Sequence, residues 1–375
     1  MKPIRMVDLQ LQYQKIKKEI NESITEVLES TAFIKGPQVS KFEQELGKYL
    51  GVKHVIACAN GTDALMIAMM ALDLKPGDEV ITPTFTFIAT VETIAFLGIK
   101  PVLADVDPDS FNIDCSKLKK LVSSKTKAII PVHLFGQCAN MSELLEFSKK
   151  HNLYIIEDTA QANGSDFIFN NGTRQKAGTI GHIGCTSFFP SKNLGCFGDG
   201  GAMFTNDDAL NEKLRCIANH GMKTRYYHDI LGVNSRLDTI QAAILNVKLK
   251  YLDSYNLSRQ RAAQFYDSAL KETDKIRTPF CSTFSSHIYH QYTIQITGDK
   301  RDDLKNHLEK SEIPCMIYYP VPLHLQKAFS YLGYKKGDFP VSELLAGQVL
   351  SLPMHTELDN EQLNYITMKV KKFFS

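Results

Sequence analysis

The sequence predicts an α/β fold with a mainly parallel sheet and a smaller second domain. From about residue 54 to residue 240, short runs that are apolar along their whole length alternate with helical segments. Strands of this kind are buried on both faces, as in a parallel sheet that helices cover on each side. The chain has 375 residues, of which 43% are hydrophobic, and is therefore long enough for two cores of unequal size.

The first 50 residues are predicted to be helical. Apolar residues recur with the helical period in IKKEINESITEVLES (16–30), and TAFIKGPQ (31–38) interrupts the pattern. A second helix is predicted over VSKFEQELGKYLG (39–51), with Ser40 as its N-cap and Gly51 after its end.

The alternating region supplies the elements of the sheet. The predicted strands are HVIACAN (54–60), EVITPT (79–84), KPVLADV (100–106), KAIIPVHLFG (127–136), LYIIEDTA (153–160), CTSFFPS (185–191) and GAMFTN (201–206). The predicted helices between them are GTDALMIAMMAL (61–72), TFIATVETIAFLG (86–98) and MSELLEFSKKH (141–151).

One long helix, residues 236–270, is predicted to lead from the large domain into the small one. The domains are expected to span residues 1–250 and 251–375. The second contains a strand, QYTIQIT (291–297), and two helices, DDLKNHLEK (302–310) and EQLNYITMKVKKFF (361–374), which is the content of a small α+β domain.

Composition excludes several functional classes. Lys and Arg total 43 against 41 Asp and Glu, so the chain lacks the basic excess of a nucleic-acid binder. No apolar run reaches about 18 residues, and the first residues do not resemble a signal peptide, so no membrane association is expected. The eight cysteines form no CxxC pair, which argues against zinc and predicts reduced thiols in a cytoplasmic protein.

Two predicted strands end in groups that could bind a ligand, since ligands of open α/β sheets sit beyond the carboxyl ends of the strands. Asn60, Gly61, Thr62 and Asp63 begin a helix, where backbone N–H groups favour an anion; an ordinary N-cap by Thr62 or Asp63 is the alternative. Asp158 ends an apolar strand, where a carboxylate needs a cation; its alternative role is to cap the next helix.

A third strand end carries a lysine. Lys192 lies in the tight loop of TSFFPSKNLGCFGDGGAMFTND (186–207), among apolar residues and glycines, whereas most lysines of this chain lie on charged helical faces. Partial burial lowers a lysine pKa and suits a Schiff-base nucleophile. The glycines of this loop do not match G-x-G-x-x-G and no strand–turn–helix encloses them, which excludes a nicotinamide dinucleotide.

The three features together match the needs of pyridoxal 5'-phosphate. Its phosphate needs a helix N-terminus, its pyridine nitrogen needs a carboxylate, and its aldehyde needs a lysine. The sequence therefore predicts a pyridoxal-phosphate enzyme.

Several motifs resemble the DegT/DnrJ/EryC1/StrS family of nucleotide-sugar aminotransferases. They are NGTDAL, EDTAQANG, SFFPSKNLGCFGDGGAMFTND, NHG and GVNSRLDTIQAAIL. The resemblance covers nearly the whole chain, from VDLQ to YYPVPLHLQKAF. It implies the aspartate-aminotransferase-like fold type I of pyridoxal-phosphate-dependent transferases, with a seven-stranded sheet in the large domain, and a homodimer with shared active sites.

The resemblance also implies roles for single residues. Lys192 would bind the cofactor covalently and shuttle protons, Asp158 would pair with the pyridinium nitrogen, Gln161 would lie near the ring hydroxyl, and Phe87 would stack on the ring. The phosphate would be held by Gly61, Thr62, Ser187 and, from the partner subunit, Asn234.

Substrate contacts are implied in the same way. Arg236 would contact the anionic substrate across the dimer. Tyr318, where some relatives carry a histidine, would also contact the substrate, and Tyr319 and His324 are further candidates.

The activity implied is the transfer of an amino group from L-glutamate, through pyridoxamine phosphate, to a keto-sugar nucleotide. Likeness in SFFPSKNLGCFGDGG and GVNSRLD favours C3 of a UDP-2-acetamido-3-keto-hexose or hexuronate, for surface polysaccharide. Amination at C4 of a dTDP- or UDP-4-keto-6-deoxy sugar is the alternative. Sugar 3-dehydratases of this family lack the lysine, so the presence of Lys192 favours aminotransfer. A non-enzymatic regulator on this fold is a remote alternative, and such a protein would be expected to carry a DNA-binding appendage.

Overall fold

The computed structural model describes residues 2–375 as helices packed on three sheets. The helices are α1 (Leu9–Ser30), α2 (Pro37–Leu50), α3 (Gly61–Ala71), α4 (Ala89–Phe96), α5 (Met141–His151), α6 (Asp208–Ile217), α7 (Thr239–Leu249), α8 (Leu252–Leu270), α9 (Arg301–Lys310), α10 (Pro340–Gln348) and α11 (Asn360–Phe374). The strands are β1 (His54–Cys58), β2 (Glu79–Pro83), β3 (Lys100–Ala104), β4 (Thr126–Ile129), β5 (Tyr154–Asp158), β6 (Asp166–Ile168), β7 (Arg174–Lys176), β8 (Ile183–Ser187), β9 (Gly201–Thr205), β10 (Ile276–Arg277), β11 (Tyr292–Ile296) and β12 (Val349–Leu352).

The main sheet has seven strands, the number predicted, and their order is β1-β9-β8-β5-β4-β2-β3. β9 runs antiparallel to both of its neighbours, and the remaining pairs are parallel. Helices cover both faces: Ile67 and Met69 of α3 pack with Ile156 on one side, and Phe42 of α2 packs with Phe204 on the other. Strands buried on both faces explain the fully apolar runs in the sequence.

The carboxyl ends of β1, β2, β5 and β8 meet at one edge of this sheet. β5 and β8 are parallel, and β1 has the same direction because it is antiparallel to β9. The segments that follow these strands are therefore brought together, which is where a ligand site is expected.

One predicted helix start was wrong, and so was one candidate N-cap. α2 begins at Pro37, with Gly36 as N-cap in extended backbone, and not at Ser40. Proline is favoured in the first helical turn because its fixed φ suits a helix and its missing N–H is not needed there. α3 is capped by Asn60, whose side chain accepts from the Asp63 N–H over 2.8 Å, and not by Thr62 or Asp63.

The predicted long helix is two helices. α7 ends at Leu249 and α8 begins at Leu252. The chain turns at Lys250 and Tyr251, whose side chains both bind Glu19 of α1. The break is set by this tertiary contact, and the helical period of the sequence continues across it.

The three-stranded sheet β10-β11-β12 and helices α8, α9 and α11 enclose a second core. Tyr266, Ile294, Leu304 and Ile366 are among its members. This is the α+β content expected for the C-terminal part, and the boundary at residue 250 stays a prediction. Helices α6 and α10 and the hairpin β6–β7 were not predicted.

Three features of the described residues bear on membrane, metal and disulfide chemistry. Within residues 2–375, no helix is both long and apolar enough to cross a membrane. No group of metal-binding side chains is found in the same range. All eight cysteines are free.

Candidate active site

A cavity of about 630 Å³ opens at the carboxyl ends of the main-sheet strands. It lies between the starts of α3 and α4, the ends of β5 and β8, the loop after β8, and residues 317–320 that follow α9. The sequence-predicted residues on its wall are Gly61, Thr62, Phe87, Asp158, Gln161, Ser187, Lys192, Tyr318 and Tyr319. The fold thus brings together residues that are up to 258 positions apart in the sequence (319 minus 61).

Lys192 lies half-buried in the loop between β8 and β9. Its backbone N–H donates to the carbonyl of Phe189 over 2.8 Å, which closes a tight turn. Burial lowers the pKa of the Lys192 amine to about 8, although the charge of Asp158 opposes this shift. The amine is therefore partly neutral near physiological pH, as a nucleophile or base must be.

The residue after the lysine anchors the loop, a role that the sequence analysis missed. The Asn193 amide donates to Asn256 Oδ1 over 2.7 Å and to the Ile288 carbonyl over 3.3 Å. Its Oδ1 lies 3.2 Å from His290 Nδ1, so this network assigns the proton to that nitrogen. The partners come from α8 and the segment before β11, and sequence spacing does not reveal them.

Asp158 ends β5 with its side chain only 6% exposed. Oδ1 accepts from the Ala160 N–H over 3.1 Å, and Oδ2 accepts from the Thr90 hydroxyl over 2.9 Å. Burial raises the pKa of the Asp158 carboxyl, while these two hydrogen bonds and the charge of Lys192 oppose the rise. A buried carboxylate held in this way is suited to pair with a cation in the cavity.

A buried histidine–carboxylate pair lies immediately behind Asp158. His133 Nε2 is 2.8 Å from Glu157 Oε2, and backbone N–H groups of Gly178, Ile180 and Gly181 also donate to this carboxylate. Burial disfavours the ionised form, but the hydrogen bonds from His133 and the backbone outweigh it and lower the pKa of Glu157. Neither residue was predicted, because in the sequence a side chain on the opposite face of a strand cannot be distinguished from a core residue.

The start of α3 forms the opposite wall. The first N–H groups of a helix have no partner within the helix, and Asn60 takes only that of Asp63. Gly61 and Thr62, which carry N–H groups of this first turn, line the cavity together with Ser187. A Cβ at Gly61 would lie 2.8 Å from the Ser187 Cβ, so glycine keeps this anion-binding corner open.

Aromatic side chains and an amide complete the cavity. Gln161 Oε1 accepts from the Phe135 N–H over 2.8 Å, and Nε2 donates to the Tyr319 hydroxyl over 3.0 Å. The rings of Phe87 and Tyr319 are 6.4 Å apart, and Phe87 is 55% exposed, which is unusual for a phenylalanine beside a core. The open ring face, the buried carboxylate, the lysine and the helix start together fit pyridoxal phosphate.

Two predicted residues lie outside this cavity. Asn234 is exposed, and Arg236 lines a separate cavity of about 210 Å³ with Lys35, Glu43 and Arg215. Both were expected to act on the partner subunit, so their placement in one chain leaves that prediction open.

His324 is also outside the cavity, at 2% exposure. Its Nδ1 is 3.1 Å from the Thr84 hydroxyl, and its Nε2 is 3.0 Å from Glu343 Oε1. Because both ring nitrogens have partners within the chain, the structure favours a packing role over the predicted substrate contact.

The model of the DegT/DnrJ/EryC1/StrS aminotransferase family matches residues 14–371. A pleiotropic regulatory protein of Geobacillus stearothermophilus is 47% identical, covering 99% of this chain and 98% of that protein. A UDP-2-acetamido-2-deoxy-3-oxo-D-glucuronate aminotransferase of Pseudomonas aeruginosa is 44% identical, with coverage of 97% and 98%. A UDP-N-acetyl-3-dehydro-alpha-D-glucosamine 3-aminotransferase of Acidithiobacillus ferrooxidans is also 44% identical, with coverage of 98% and 97%.

Two solved structures have the same fold as this chain. DesV from S. venezuelae superposes with a TM-score of 0.96 at 35% identity, covering 100% of this chain and 99% of that one. NtdA from Bacillus subtilis, solved with bound pyridoxamine phosphate, has a TM-score of 0.88 at 30% identity, covering 98% and 83%.

Proposed function

The chain belongs to the DegT/DnrJ/EryC1/StrS aminotransferase family, and from this premise we propose that it moves an amino group from L-glutamate to C3 of a UDP-linked 2-acetamido-3-keto sugar. Its fold is the fold type I of pyridoxal-phosphate-dependent transferases, and its cofactor is pyridoxal phosphate. The observation that carries the proposal is Lys192 facing the buried carboxylate of Asp158 in one cavity.

Different residues of the cavity would bind different parts of the cofactor. Pyridoxal phosphate, when bound, supplies an electron sink for the carbon that loses its proton. The α3 N-terminus at Gly61 and Thr62, together with Ser187, would hold the phosphate. Asp158 would hold a positive charge on the ring nitrogen, and burial strengthens that pairing because few water dipoles screen it.

Lys192 acts as the covalent anchor and then as the base. A pKa of about 8 leaves a substantial fraction of its Nζ without a proton near neutral pH, so that Nζ can accept a proton from one carbon and return it to another. The tight turn at Phe189 and the anchored Asn193 fix the backbone that carries the Lys192 side chain, which reduces the entropy lost on reaching the reactive geometry.

The choice of C3 rests on two relatives. The proteins of P. aeruginosa and A. ferrooxidans are both described as aminotransferases of 3-oxo or 3-dehydro UDP sugars. One acts on a glucuronate and the other on a glucosamine, so the proposal includes both a hexuronate and a hexose. Relatives described as dTDP-sugar transaminases are less similar, at 37% and 38% identity, which disfavours a dTDP sugar.

A regulatory function is the second candidate, because one relative is described as a pleiotropic regulatory protein. A regulator need not turn over substrate, whereas this chain has the lysine, the carboxylate and an open cavity. These features support catalysis.

The proposed active unit is a homodimer in the cytoplasm. Asn234 and Arg236 lie outside the cavity of their own chain, and the preceding loop exposes the large apolar side chains Tyr226, Tyr227 and Leu231. A second copy that covers this loop would bury apolar surface and supply both residues to the neighbouring cavity. The eight free cysteines support a reducing compartment.

The test is the visible absorption spectrum of the purified holoenzyme before and after L-glutamate is added. We expect a yellow protein that L-glutamate bleaches, and recovery of the band only when a UDP-3-keto sugar follows. Lys192→Ala should abolish turnover, and exposed Lys149→Ala is the matched control. Recovery by a 4-keto sugar instead would refute C3, and a protein that stays colourless after pyridoxal phosphate is supplied would refute the proposal.

A further inference from the structure

The Asp158 carboxylate depends on a hydroxyl from a neighbouring helix. Thr90, the second residue of α4, is 1% exposed, and its Oγ1 donates to Asp158 Oδ2 over 2.9 Å. The other carboxylate oxygen accepts from the Ala160 N–H. With one donor on each oxygen, the plane of the carboxylate is defined, and its remaining lone pairs are free for a group in the cavity.

Thr93, one turn further along α4, provides the contrast. It is equally buried, and its hydroxyl donates to the carbonyl of Ala89 over 2.9 Å. That bond within the helix is the usual arrangement for a helical threonine. The Thr90 hydroxyl leaves its helix and binds a side chain on β5, so its direction serves the carboxylate and not the helix.

We infer that Thr90 is a positioning residue of the cofactor site, because its hydroxyl orients the ionised Asp158 carboxylate toward a protonated ring nitrogen in the cavity. The inference rests on the proposed function, in which Asp158 pairs with that nitrogen. Without the hydroxyl, Asp158 Oδ2 loses the donor from Thr90 in a buried site, and the carboxylate is freer to rotate. Hydrogen bonds to charged groups are among the stronger ones in proteins, so we expect a measurable loss of cofactor affinity.

The experiment compares Thr90→Val, Thr90→Ser and Thr93→Val as holoenzymes. Equilibrium dialysis gives the dissociation constant of pyridoxal phosphate, and the visible spectrum reports the environment of the bound cofactor. Thr90→Val should raise the dissociation constant roughly tenfold, the effect of losing about 1.4 kcal/mol, and shift the ratio of the absorption bands. Thr90→Ser should restore both, and Thr93→Val should leave both unchanged.

The outcomes separate the inference from the proposed function. If the unaltered protein does not bind pyridoxal phosphate, the proposed function fails. If it binds while Thr90→Val matches it in affinity and spectrum, only the inference is overturned. Should Thr90→Val not fold, Thr90→Ala is compared with Thr90→Ser, a pair that differs only in the hydroxyl, and equal constants for that pair overturn the inference.

Discussion

The pKa of Lys192 is the property on which the proposed chemistry depends most directly. Burial lowers it from an ordinary 10.5 to about 8. At pH 7.5 an amine with a pKa of 8 is about one quarter neutral, whereas one with a pKa of 10.5 is neutral in about one molecule in a thousand. The fold therefore increases the reactive fraction of Lys192 roughly 200-fold without any change of residue.

Competitive labelling measures this pKa in the protein freed of cofactor. Trace acetic anhydride reacts only with neutral amines, and mass spectrometry of the digest reports each lysine separately, with exposed Lys149 as the reference. We expect the labelling of Lys192 to rise with a midpoint near pH 8. In Asp158→Asn the midpoint should fall further, because the nearby negative charge stabilises the ammonium form.

Two results would refute this reasoning. A midpoint near 10.5 in the unaltered protein would mean that solvent reaches Lys192 and that burial does not control its protonation. A midpoint that rises in Asp158→Asn would mean that the carboxylate does not act on the lysine as an opposing charge.

Three further predictions concern other parts of the site and its support. Gly61→Ala should weaken pyridoxal-phosphate binding roughly tenfold in equilibrium dialysis, because its Cβ would lie 2.8 Å from the Ser187 Cβ, and an unchanged constant would contradict the assignment of this corner. Glu157→Gln should lower the free energy of unfolding by about 3 kcal/mol in urea at pH 7. Since the pKa of Glu157 is lowered in the folded state, the ionised carboxylate stabilises the protein fully above the ordinary pKa of 4.5, and this stabilisation is lost as the pH falls through the folded-state pKa. If Glu157→Gln were still less stable than the unaltered protein below that pKa, the charge of Glu157 would not be the cause of the difference in stability. His324→Ala should cost about 1–3 kcal/mol of stability, because Glu343 Oε1 loses one of its two donors and keeps the Gly337 N–H. The KM for the sugar nucleotide should stay unchanged, and a specific rise in KM would support the predicted substrate contact.

Much of the fold could be predicted because its elements carry local signals. Fully apolar runs identified the seven strands of the main sheet, and helical periods identified α1, α2, α3 and α5. Prediction failed where a tertiary contact decides the outcome. The break between α7 and α8 at Tyr251 depends on Glu19, more than 200 positions earlier in the chain.

Some residues of the site could also be predicted from local signals, and others could not. Lys192, Asp158 and Gly61 were predictable because each lies at the end of an apolar strand or in the loop that follows it, and the carboxyl ends of parallel strands converge at one edge of a sheet. Thr90, Asn193, His133 and Glu157 were missed, since nothing local separates a buried threonine or asparagine that supports a site from one that satisfies its own helix or turn.

The sequence by itself determined which chemical groups are available and which strands they follow along the chain, because apolar periodicity and residue type are local properties. Only the tertiary structure decided how those groups behave. It buried the Lys192 amine, placed Asp158 near it, and aimed the Thr90 hydroxyl at that carboxylate. It also occupied both nitrogens of His324 and left Asn234 and Arg236 outside their own cavity. Protonation and hydrogen bonding depend on which atoms lie within a few ångströms and on how much water is excluded, and both are set by packing between distant segments.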